Sequence, residues 1–161
     1  MTTLRSRRRL ALASLFGTIA AATLLAAAAQ ATVASTVALR KTTLGTILVD
    51  ARGHTLYLFE KDRNNISACN AACAAYWPPL HSHGAPRAGK GLQQSLLRLN
   101  LAGQVTYAGH LLYTFAGDKR AGDTSGEGLN NFGGGWDALA AGGKKIEQNT
   151  NTGGYGSGGG Y

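Results

Sequence analysis

The chain has 161 residues, with 16 Lys and Arg against 8 Asp and Glu for a formal net charge of +8, and it carries 23 Gly, 3 Pro and 2 Cys. That is material for one domain of about 150 residues with extensions. Glycine without a strict three-residue period excludes collagen, and so few cysteines exclude a disulfide-dense miniprotein.

Four arginines, Arg5, Arg7, Arg8 and Arg9, come before any acid, and the other 12 basic residues against 8 acids leave +4. A mild, dispersed charge on an exported chain argues against nucleic acid as partner. An uncharged run from Leu10 to Ala29 follows, ending in Ala29-Gln30-Ala31. A basic start, an apolar middle and a small-x-small site predict a signal peptide over 1–31, cleaved after Ala31. Ser6-Arg7-Arg8-Arg9-Leu10 also resembles a twin-arginine signal, so both export routes stay open. No later segment is apolar enough to span a bilayer, and the first cysteine is Cys69, so no lipobox cysteine is available for lipid attachment. Residues 32–43 are expected to be a linker.

An internal repeat organises the rest. Gly53-His54-Thr55-Leu56-Tyr57-Leu58-Phe59-Glu60-Lys61-Asp62 aligns without gaps on Gly109-His110-Leu111-Leu112-Tyr113-Thr114-Phe115-Ala116-Gly117-Asp118. Each copy is preceded by an alternating run, 47–50 or 104–107, and a glycine turn, so each reads as a β-hairpin. The copies span about 44–62 and 97–118. The two-residue period puts Tyr57 with Phe59, and Tyr113 with Phe115, on one buried face. Leu58 predicts cover on both sides of the first copy, whereas Thr114 suits solvent. Asp62 and Asp118 fall where each strand ends and are expected to accept N–H bonds in the following turn, a ligand-binding carboxylate being the other reading.

Between the copies, 67–77 is alanine-rich and free of Gly and Pro, which predicts a helix capped by Ser67 and stopped by Pro78-Pro79. Cys69 and Cys73, at i and i+4, would share one of its faces. In an oxidising compartment such a pair is expected to form a structural disulfide, with a redox dithiol or a metal thiolate as alternatives. Trp77, Pro78 and Pro79 read as a rigid plug on the sheet. Leu96 to Tyr107 reads as a further hairpin turning at Gly103, and 117–135 as a glycine-studded loop closed by Trp136. The domain is expected to end near 148, leaving 149–161, six glycines in thirteen residues, as a disordered tail.

These landmarks, the paired Tyr-x-Phe-x-x-Asp motifs, Cys69-x-x-x-Cys73 before Trp77-Pro78-Pro79-Leu80, Gln104-Val105-Thr106-Tyr107, Gly122-Asp123-Thr124 and Gly135-Trp136, resemble in order a bacterial secreted repeat of unknown function, a predicted lipoprotein family. The resemblance covers about residues 44–143. It implies an exported protein and carries no activity; the missing lipobox cysteine and the glycine tail depart from it.

Catalytic and metal motifs are weak. His81 and His83 would point to one side of an extended segment, a spacing metal sites use, yet no third ligand stands at a fixed distance. His54 and His110 follow turn glycines, where a structural hydrogen bond is the simpler role. Asp118, Asp123 and Glu127, near Lys119 and Arg120, lack the alternating oxygen ligands of a calcium loop and read as solvated, charge-paired surface. No nucleophile elbow, zinc helix or phosphate loop is present. The expectation is a mainly β domain, a small antiparallel sheet or partly open barrel built from two repeated hairpins with one short helix. It is secreted or periplasmic, needs no cofactor, is not an enzyme, and binds an unknown envelope or extracellular partner. The alternative is a redox or metal-handling accessory protein using Cys69, Cys73 and the histidines.

Overall fold

A computed structural model describes residues 36–147. The expected signal segment 1–31, its cleavage after Ala31 and the tail 149–161 lie outside the described residues. The architecture is mainly β, with three small antiparallel sheets, one short helix and no closed barrel.

The segment expected as a linker contains β1 (Val37–Thr42), which pairs along its whole length with β2 (Gly45–Asp50). Its Val-Ala-Leu-Arg-Lys-Thr run buries Val37 and half-buries Leu39, so β1 is part of the domain and not a linker. After β2 the chain turns through Asp50-Ala51-Arg52-Gly53-His54, with Asp50 and His54 closing the turn and Gly53 at φ +88. The hairpin expected for the first copy is a short one. Val49 bridges Thr55, and then β3 (Tyr57–Phe59) leaves to pair antiparallel with residues 136–138.

Helix α1 covers only Ala71–Ala74 and is capped by Asn70, whose Oδ1 accepts the Cys73 N–H at 3.2 Å. Ser67 is not the cap; its Oγ accepts the Cys69 N–H instead. Cys69 therefore stands ahead of the helix, and the Cys69–Cys73 disulfide (Cα–Cα 5.2 Å) ties the first turn to the chain entering it. Residues 78–80 then run extended beside 112–114, with Pro79 bridged to Tyr113.

The second copy repeats the plan. Strand β4 (Leu97–Leu99) pairs with β5 (Val105–Tyr107), and β5 with β6 (His110–Leu111). The β5–β6 turn has two central residues, Ala108 at φ +51 and Gly109 at φ +85, the left-handed pair that matches the twist of a tight hairpin. The stretch expected as a long loop contains a hairpin, β7 (Leu129–Asn131) with β8 (Gly134–Ala138).

Two cores form on opposite faces of β3 and the segment 111–113, as the two-residue period requires. Tyr57, Phe59, Leu111 and Tyr113 enter one with Trp77 and Trp136; Leu56, Leu58 and Leu112 enter the other with Val37, Leu97, Val105 and Tyr107.

The disulfide closes a loop of only five residues, so the chain-entropy account assigns it about 2 kcal/mol. Replacing both Cys69 and Cys73 with Ser is expected to lower the unfolding free energy in urea by that amount. Unchanged stability would contradict a structural role.

Candidate functional site

The two copies meet at one backbone bridge. Tyr57 N–H donates to Tyr113 O at 2.9 Å, and Tyr113 N–H donates to Tyr57 O at 3.0 Å. Around it the motif side chains cross from copy to copy. The Tyr57 hydroxyl donates to Asp118 Oδ2 at 2.7 Å, and the Tyr113 hydroxyl to Asp62 Oδ2 at 2.8 Å. Each carboxylate also accepts a backbone N–H, Asp118 from Ser125 and Asp62 from Ala68, both at 2.8 Å. The expected backbone role of these aspartates is thus present, but its donors lie six and seven residues on, beyond the immediate turn. Phenol and carboxylate are shielded together, so both tyrosine hydroxyls are held above their ordinary pKa, chiefly by burial. Burial likewise raises Asp62 and Asp118.

The aromatic residues interleave in the same way. Phe59, Trp136, Trp77 and Phe115 form a ladder with centroids 4.1, 3.9 and 4.4 Å apart, alternating between the copies. Tyr57 meets Trp77 edge-on at 5.4 Å, and Tyr113 meets Trp136 edge-on at 5.2 Å. Trp77 is fully buried, with Nε1 donating to Asn131 Oδ1 at 3.1 Å. Gly126 lies so near that a Cβ there would stand 2.8 Å from the Tyr57 ring and 2.9 Å from that of Trp77.

Beyond the Tyr57–Tyr113 bridge, β3 and β6 belong to separate sheets. Two residues further along each strand, Phe59 and Leu111 line a groove of about 1070 Å³ that opens where the strands diverge. Its lining is mixed. Leu44, Leu58 and Ile146 give apolar surface, and Arg63, Lys144 and Lys145 share the lining with Glu60, Asp62 and Glu147, Lys145 Nζ being paired with Glu60 Oε1 at 2.7 Å. Asn64 and Asn65 shape one wall through a tight left-handed turn, at φ +52 and +61.

The symmetry fails here. Asp62 and His110 line the groove, whereas Asp118 is only 7 % exposed and stays out of it. Surrounding protein lowers the His110 pKa, with the Asp62 charge opposing. His54, its repeat mate, instead binds within its own turn, Nδ1 3.3 Å from Asp50 Oδ2.

His81 and His83 are exposed, with His81 bridged through its backbone to Gln104. Among the described residues no group of three His, Cys, Asp or Glu side chains is placed to hold a metal ion. The acidic loop does not behave as solvated surface. Glu127 is 9 % exposed, and Asp123 Oδ2 accepts the backbone N–H groups of Lys119 and Arg120 and makes no ion pair with either side chain.

Sequence reasoning missed the groove's far wall, Lys144 to Glu147. The signal was present in Gly142-Gly143 between Leu139 and Ile146, since the chain reverses there and Leu139 pairs with Lys145.

The family described as a secreted repeat of unknown function matches the chain twice, over residues 38–81 and 102–140. The chain belongs to this family. The two matched segments fall on the two copies that interlock at Tyr57 and Tyr113, the first running from β1 past Trp77 and the second from the β4–β5 turn past β8. No curated protein and no solved structure compared matches the chain. No helix among the described residues is long and apolar enough to cross a membrane.

Glu127 supplies a pH test. Its Oε2 accepts the Ala138 N–H at 2.7 Å, Oε1 is buried without a partner among the described residues, and burial raises its pKa. A carboxyl with a raised folded pKa binds its proton more tightly folded than unfolded, so stability falls as pH rises through the window above the ordinary carboxylate range. Glu127→Gln keeps the acceptor and removes the ionisation. Its melting temperature relative to wild type is expected to climb between pH 4 and pH 7, and a difference independent of pH would contradict this.

Proposed function

We propose that the protein is a non-catalytic binding module of the periplasm or the extracellular space, exported by its N-terminal segment, and that it takes its ligand in the groove between β3 and β6. The observation that carries this reading is the break in symmetry. The two copies repeat the crossed Tyr–Asp and Phe–Trp contacts, yet only one Asp and one His of the paired motifs line an open, mixed-charge groove. Core contacts explain the shared residues and leave the side chains of Asn64, Asn65, His110 and Lys144 outside both cores, while the Arg63 guanidinium donates to the Glu60 and Asp62 carbonyls at the groove's edge. Beside the Lys145–Glu60 ion pair, the lining carries Arg63 and Lys144 with Asp62 and Glu147 around aliphatic surface, which suits a short peptide with free termini.

The experiment is amide shift mapping with a mixture of unblocked tetrapeptides. Shifts are expected at 58–65, 109–111 and 144–147, and Arg63→Glu combined with Lys144→Glu is expected to abolish them with the peptides recovered intact. Shifts confined to other surfaces, no shifts, or cleaved peptides would contradict the proposal.

A second reading, redox or metal handling, draws on the disulfide, because Cys69 is partly exposed and reachable by a reductant. Metal analysis of untagged protein and a thiol count in glutathione decide it. Metal-free protein with a bridge that stays oxidised removes that reading.

A further inference from the structure

Phe132 breaks a local rule. It is the first central residue of the β7–β8 turn and sits at φ +53, followed by Gly133 at φ +83. Asn and Gly take that left-handed conformation readily, whereas a bulky side chain there is an outlier. Core burial does not compensate, because Phe132 remains 40 % exposed. Its ring lies beside that of Tyr76, 59 % exposed, with centroids 5.9 Å apart and planes tilted by 41°. Tyr76 is set by the disulfide-tied helix of the first copy, its N–H bonded to Cys73 O at 2.9 Å, and Phe132 by the hairpin of the second.

Two ammonium groups are anchored on the backbone around the pair. Lys61 Nζ lies 3.3 Å from Phe132 O. Lys119 Nζ lies 2.6 Å from Ala116 O, and the Ala116 N–H donates to Tyr76 O at 2.8 Å. Neither lysine forms an ion pair among the described residues, and each uses one donor of three.

We propose that the Tyr76–Phe132 face binds an anionic polysaccharide, with sugar rings lying on the two aromatic faces and uronate carboxylates meeting Lys61 and Lys119. An aromatic face carries negative charge density and attracts the polarised C–H groups of a pyranose, while two unpaired cations select a polyanion over a neutral glycan. Strain held at an exposed residue points to use. A membrane-inserting tip would project its ring clear of the fold, whereas most of the Phe132 surface is covered and the ring lies back against Tyr76. This surface is separate from the groove, so the two proposals stand or fall independently.

The test is affinity electrophoresis of the full chain in gels containing alginate or polygalacturonate. Dextran and inorganic polyphosphate serve as controls, and co-sedimentation with phosphatidylglycerol vesicles runs in parallel. Retardation by the polyuronates is expected, with about tenfold weaker binding in Tyr76→Ala and in Phe132→Asn. Phe132→Asn relieves the turn and is expected to melt at or above the wild-type temperature, which separates lost binding from lost folding. Lys61→Gln with Lys119→Gln is expected to weaken binding and flatten its salt dependence. The proposal is overturned if neither polyuronate retards the protein, if Phe132→Asn binds as wild type does, if polyphosphate binds equally well, or if only the vesicles bind.

Discussion

The antiparallel exchange between Tyr57 and Tyr113 is the contact on which the rest of the fold depends. It fixes the two copies in one register, and that register alone lets each phenol reach the other copy's carboxylate. A buried carboxylate is costly unless hydrogen bonds surround it. Asp62 and Asp118 each have one backbone donor from their own copy and one phenol from the other. The spacing of the Tyr-x-Phe-x-x-Asp motif thereby acquires a physical meaning. Its Tyr crosses over, its Phe stacks on the partner copy's Trp, and its Asp closes the return contact. A copy alone would bury a carboxylate without its phenol and leave its aromatic ladder half built.

The same interlock leaves a groove open. Pairing stops after one bridge, and past it the strands diverge into separate sheets. The core faces are used up by the ladder of Phe59, Trp136, Trp77 and Phe115. What remains free is the groove beside Asp62 and His110, together with the outer aromatic pair at Tyr76 and Phe132. Both lie where the copies differ. The residues repeated in both copies, Tyr57 and Tyr113, Phe59 and Phe115, Asp62 and Asp118, are the ones that cross between them and hold the fold.

Much of this was legible in the sequence because it depends on short-range pattern. The repeat, the shared face of Tyr57 and Phe59, the two-sided burial of Leu58 and the pairing of Cys69 with Cys73 all follow from spacing over a few residues. The crossing did not, since Tyr57 and Asp118 lie 61 residues apart and Tyr113 and Asp62 lie 51 apart. Local reasoning gave each Asp to its own turn. Strand β1 was hidden by the weak hydrophobicity of Arg40-Lys41-Thr42. The β7–β8 hairpin was hidden by its glycines, which read as loop although Gly134 and Gly135 sit in a strand against Lys61, Phe59 and Glu60. Asn70 overrode Ser67 as helix cap because Ser67 was drawn into the Tyr113 hydroxyl network, 2.8 Å away.

A double-mutant cycle on folding stability tests the interlock most directly, comparing Tyr57→Phe with Asp118→Ala and Tyr57→Phe with Asp62→Ala. The account predicts a coupling energy above about 1 kcal/mol for Tyr57 with Asp118, as for a buried hydrogen bond to a charged group. For Tyr57 with Asp62, partners within one motif but not in contact, it predicts coupling below about 0.5 kcal/mol. Strong coupling inside the motif with none across the copies would contradict the crossed arrangement.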